Sequence, residues 1–158
     1  MSDGMRFTIR VESNSQLVLD ELGEAVERAL YAIGVKAVEG SVDAITGKKD
    51  IPSAIDTGRL RASISFITPT YTSGQITEQT PKEGVSPEDV AKNLLQQGDL
   101  LSGTAEKNTV VVGSNVEYAE YVHNGTSRME GRPFLREGID KTKDQMQEQA
   151  EKIFKGQL

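Results

Sequence analysis

The stretch VGSNVEYAEYVHNGTSRMEGRPFLREGI, residues 112–139, decides how the fold is read. Its first residues close a β-branched run, TVVVG at 109–113, which suits a strand. Asn115 is then placed to cap a short helix holding Val116, Tyr118, Ala119 and Val122, with Asn124-Gly125 as its stop. Pro133 suits the first turn of a last helix, whose apolar positions are Leu135, Ile139, Met146, Ala150 and Ile153. Polar and aromatic residues stand at fixed turns here, yet no nucleophile with its base and no set of metal ligands accompanies them. The segment reads as a surface for docking rather than turnover.

Upstream, residues 5–11 alternate, with Phe7, Ile9 and Val11 on one side and Arg6, Thr8 and Arg10 on the other. That is the period of a half-buried strand. Ser13 and Gln16 stand at capping-box spacing ahead of a long helix whose stripe is Leu19, Leu22, Val26, Ala29, Ile33 and Ala37. Gly23 and Gly34 each weaken that helix by about 1 kcal/mol relative to alanine, and either leaves room for a close neighbour. The helix ends before the loop-like run GKKDIP at 47–52. Leu60, Ala62, Ile64 and Phe66 alternate with Arg59, Arg61, Ser63 and Ser65, which predicts a second strand over 55–68, antiparallel to 109–113.

Between these strands, residues 69–84 turn polar and low in aliphatics, and 69–108 as a whole reads as a partly flexible insertion. It carries one helical signal: Ser86 as cap, Pro87 at the first position, a stripe of Val90, Ala91, Leu94 and Leu95, and Gly98 as stop. The expected class is α+β, in a single domain over 1–158. A small antiparallel sheet packs against a long N-terminal helix and a C-terminal helix, with a helical insertion in a hairpin.

Composition narrows the function. The chain has 158 residues, 36% of them hydrophobic and only 5% aromatic, which fits a protein that hides part of its apolar surface on assembly, or a loop-rich monomer. A net charge of -6 argues against sequence-specific nucleic-acid binding, which wants a basic face. With no cysteine and one histidine, neither a thiolate nucleophile nor a metal site is expected, and no cofactor is implied. No signal peptide or membrane span is expected, and the chain reads as soluble and made in a reducing cytoplasm.

Several short motifs invite chemistry. Asp56-Thr57-Gly58 is the tripeptide of aspartic proteases, but that mechanism needs two carboxylates sharing a proton, and Arg59 and Arg61 would keep Asp56 ionised. The bland reading is a turn leading into the strand. Residues 40–48 miss a phosphate loop, because six residues rather than four separate the glycines and no hydroxyl follows Lys48. His123 reads as a packing or hydrogen-bonding residue rather than a base. Arg128, Arg132 and Arg136 flank a turn, where they either meet carboxylates of a neighbouring subunit or pair within the chain to Glu117, Glu120 or Glu130.

Two blocks taken together, DTGRLRASI at 56–64 and the 112–139 stretch, resemble the small tail-completion or head–tail joining proteins of long-tailed phages and prophages, the gene-product-ten-like lambdoid group. In that family T-G-x-L-x-x-S-I opens one strand, and a later strand runs into N-x-x-Y-A-x-Y-V-x-x-G-T, then R-P-F-L and a C-terminal helix. The chain matches at Thr57, Gly58, Leu60, Ser63 and Ile64. It matches again at Asn115, Tyr118, Ala119, Tyr121, Gly125, Thr126, Arg132, Pro133, Phe134 and Leu135. The blocks cover about a quarter of the chain, and the insertion at 69–108 is longer than the plain hairpin of the pattern.

The resemblance implies a non-enzymatic virion protein of the tail and neck, made in the bacterial host cytoplasm. It implies a homo-oligomeric ring, a hexamer in the particle, touching head connector or adaptor proteins on one side and the tail terminator or tail tube protein on the other. On this reading Tyr118, Tyr121 and Phe134 fasten the short and last helices to the sheet, and the turn at 125–131 faces a neighbour. A tail-terminator or head-closure adaptor shares the same location. Two rivals come from other classes: an aspartic-type hydrolase through Asp56, and a regulatory module that binds through the 90–95 helix.

Overall fold

A computed structural model describes residues 4–11, 23–45, 54–72, 98–128 and 130–156, with 54–58 as backbone alone. Its elements are β1 (Met5–Arg10), α1 (Gly23–Ile45), α2 (Ala54–Ser63), β2 (Ser65–Ile67), β3 (Thr109–Ser114), α3 (Ala119–Asn124) and α4 (Phe134–Phe154). The fold is α+β, as its sequence pattern predicts. The sheet runs β1-β3-β2, antiparallel at both joins, so the last strand in sequence is the middle one in space.

Alternation in β1 decides which face is inside. Phe7 and Ile9 are half-buried, whereas Arg6, Thr8 and Arg10 are exposed. Phe7 stands opposite Val112, and Val112 opposite Phe66, so one apolar row crosses all three strands. Val112 and Phe66 are fully buried in the core that this row shares with α1 and α4.

The expected stripe on α1 is buried at Val26, Ala29, Ile33 and Ala37. Leu30, Gly34, Val38 and Ser41 are buried as well, because α1 is covered on two sides, by the sheet and by α4. Glycines set both distances. A Cβ on Gly34 would overlap the Phe66 ring, and a Cβ on Gly138 of α4 would run into the Ser41 backbone. Gly23 meets nothing, so only Gly34 answers the expectation of a close neighbour.

The predicted strand over 55–68 is corrected. Residues 54–63 are helical, and only Ser65–Ile67 pair with β3. Leu60 and Ile64 are four apart, which satisfies a helix as well as an alternating strand, and buried Ser63 completes the helical face. Arginine and alanine at 59, 61 and 62 favour the helix. β2 is buried on both faces, since Ser65 accepts the Leu101 N–H at 3.1 Å on the side away from the core.

The expected cap is corrected too. α3 begins at Ala119, preceded by Tyr118 with no side-chain cap bond, and Val116 lies outside it. Asn115 is held elsewhere: its Nδ2 donates to the Leu100 carbonyl at 3.0 Å, and its Oδ1 accepts from Arg6 at 2.9 Å. Gly125 ends α3 with φ of 85°, and Pro133 immediately precedes α4. The Ser13–Gln16 cap, Leu19, Leu22, the 47–52 loop and the 86–97 helical signal lie outside the described residues.

Candidate functional site

Arg59 of α2, its side chain 13% exposed, is where the two matching sequence blocks meet. Its Nε and Nη2 donate to Asp99 at 2.9 and 2.8 Å, and its Nη1 and Nη2 donate to Glu117 at 3.0 Å each. Four of the five guanidinium N–H groups are thereby committed, two to each carboxylate. The guanidinium carbon also lies 5.5 Å from the centre of the Tyr118 ring. Asp99 is 5% exposed at its side chain and Glu117 64%, so one half of the clamp is buried and the other faces water. The hydrogen bonds that Arg59 donates to Asp99, then those to Glu117, hold its proton more tightly than usual. Arg59 in turn keeps the Glu117 carboxyl below its ordinary range.

Beneath the clamp lies a buried chain of hydroxyls. Ser63 Oγ donates to the Leu60 carbonyl at 2.6 Å and sits 2.6 Å from Ser114 Oγ, which accepts the Val116 N–H at 3.0 Å. A hydroxyl has one proton, so with Ser63 committed to Leu60, Ser114 must donate to Ser63. The bonds then run one way, from Val116 through both serines to Leu60. Ser63 of the first block and Ser114 of the second are both fully buried.

The second block presents a surface. Tyr121 is 52% exposed, the one large apolar side chain so exposed among the described residues. Asn124, Thr126, Ser127 and Arg128 are exposed beside it in sequence. The turn that follows is pinned where Gly131 packs on the Asn124 backbone, and the Arg132 N–H donates to the Val122 carbonyl at 2.7 Å. His123 is turned the other way, 1% exposed, with ring centres of Phe7 and Phe134 each 5.3 Å from its own.

Of the residues chosen from sequence, Leu60, Ser63, Ile64, Phe134 and Leu135 are buried, and Tyr118 is half-buried against Arg59. Tyr121 is a correction, because it fastens nothing to the sheet and faces outward. Thr57 and Gly58 fall in the backbone of α2, as does Asp56, so the tripeptide lies in a helix rather than in a turn entering a strand. Arg128 and Arg136 are exposed and Arg132 is half-buried. Glu117, one of their expected partners within the chain, is bound by Arg59 instead. Asp99 escaped sequence reading altogether, as no local pattern marks it.

Among the described residues no helix is long and apolar enough to cross a membrane, and no group of His, Asp and Glu is arranged to hold a metal ion. The chain matches no protein-family model, no curated protein and no solved structure.

Proposed function

We propose that this chain is a structural virion protein that completes a phage tail and joins it to the head connector, as part of a homo-oligomeric ring at the neck. One observation carries the reading. The two sequence blocks that bear the resemblance interlock through Arg59–Glu117, Arg59–Tyr118 and Ser63–Ser114, and leave Tyr121 and the turn after it facing outward. An interlocked pair of segments that ends in an exposed aromatic and polar turn suits stoichiometric contact between proteins, in which a few aromatic and arginine anchors dominate. A ring, of six copies on the family pattern, reuses one heterologous contact around a closed cycle. Its faces would meet head connector or adaptor proteins and the tail terminator or tail tube protein. Arg128 and Arg136, exposed on an acidic chain, suit carboxylates of the neighbouring copy.

Mass measurement of the purified chain, alone and mixed with purified tails, tests the reading. Binding confined to the head-proximal end of the tail is expected. Absence of binding to tails and to connectors alike would count against it.

A further inference from the structure

We propose that His123 makes the seat of α3 acid-labile, so that the outward turn is held in place at neutral pH and released on acidification. The regulated surface is the one assigned to docking above, and its use rests on that reading; the release is a property of the free chain.

The geometry sets the neutral state. Nδ1 stands 3.1 Å from Asn124 Oδ1, which a neutral imidazole satisfies by donating its Nδ1–H. Nε2 is buried with no hydrogen-bond partner among the described residues. An unprotonated Nε2 leaves only a lone pair unmet. An imidazolium would place a second N–H and a full charge there, against the rings of Phe7 and Phe134.

Charged neighbours do not offset this. Burial is the largest influence and lowers the proton affinity of the ring; the bond to Asn124 raises it by less, and on α4 Arg136 lowers it and Glu137 raises it. The charged residues of β1, Arg6 and Arg10, lie on its exposed face, and Glu120 of α3 is exposed. Phenyl rings attract a cation, but weakly beside the loss of its hydration. The proton is therefore taken up when the ring leaves its seat.

The element that yields is α3. It is 6 residues long and starts without a side-chain cap, and the Arg132–Val122 bond ties the turn after it back on the helix itself. Of its 6 residues only Ala119 and His123 are buried, whereas Phe134 and Val112 belong to a 21-residue helix and the middle strand, so α3 moves before the sheet opens.

The chain has one histidine, so proton NMR of the full chain reads this imidazole alone. It should titrate below the ordinary value of 6.5. Amide exchange over residues 119–132, corrected for intrinsic pH effects, should be several-fold faster at about pH 5.5 than at about pH 7.5, with little change in α1. His123→Phe keeps a ring and removes the proton, and should lose that difference. A ring titrating at 6.5 or above, or an undiminished pH effect in His123→Phe, overturns the proposal. If that variant does not fold, the titration and exchange of the unaltered chain decide the matter. Tail binding absent at every pH would refute the joining role and leave these results standing.

Discussion

At the scale of single residues, the two ends of the Arg59 clamp differ in energetic weight. Asp99 is buried and Glu117 is exposed, so Arg59→Ala takes the guanidinium away from a buried carboxylate and should cost about 3–5 kcal/mol in urea unfolding. Glu117→Gln, on the wet side, should change stability by less than about 1 kcal/mol. Tyr71 offers a contrast, because its hydroxyl is buried beside Phe66 and Tyr31 with no partner among the described residues. Tyr71→Phe removes a group that has nothing to bond, and should be neutral or stabilising by up to about 1 kcal/mol. Burial, with a smaller push from Tyr31, raises this phenol to about 12 from its ordinary 10.0. The folded state then holds its proton longer than the unfolded chain. Stability should fall as pH rises from the ordinary value towards the raised one, less so in Tyr71→Phe, as alkaline denaturation curves would show.

At the scale of elements, the approach of α1 to α4 depends on what a methyl group would strike. Gly138→Ala would push Cβ into the Ser41 backbone and should cost about 1–3 kcal/mol through separation of the helices. Gly23→Ala meets open space in the same α1 and should stabilise by up to about 1 kcal/mol, so thermal melts of the pair would separate packing from helix propensity. Strands β1 and β3 and the stripe on α1 were legible in the sequence, because Phe7 and Ile9, or Val26, Ala29 and Ile33, repeat with one period throughout. Helix α2 was not, because Leu60 and Ile64 fit both periods and Phe66 beyond them belongs to a strand. The clamp was not legible either: its partners stand 40 and 58 residues from Arg59, and a local window contains neither. Tyr121 misled for a further reason. His123 and Tyr121 stand two apart on a helix of 6 residues and so face opposite sides of it, His123 to the core and Tyr121 to water.

At the scale of the whole molecule, the proposed place at a phage neck separates surface from stability. Tyr121→Ala should leave the unfolding free energy within about 0.5 kcal/mol, since the ring is mostly exposed. If Tyr121 anchors the contact, the same change should weaken tail binding or self-association by about thirtyfold or more, which sedimentation or pull-down with purified tails would measure. The order of the sheet has another consequence, one of timing. β3 lies between β1 and β2, yet it is the last strand in sequence. While the ribosome is still making residues 68–108, both earlier strands are without the partner that their backbones pair with, and neither can template the other. The sheet therefore forms late in synthesis, and a chain stalled before residue 109 has the sequences of β1 and β2 without this sheet.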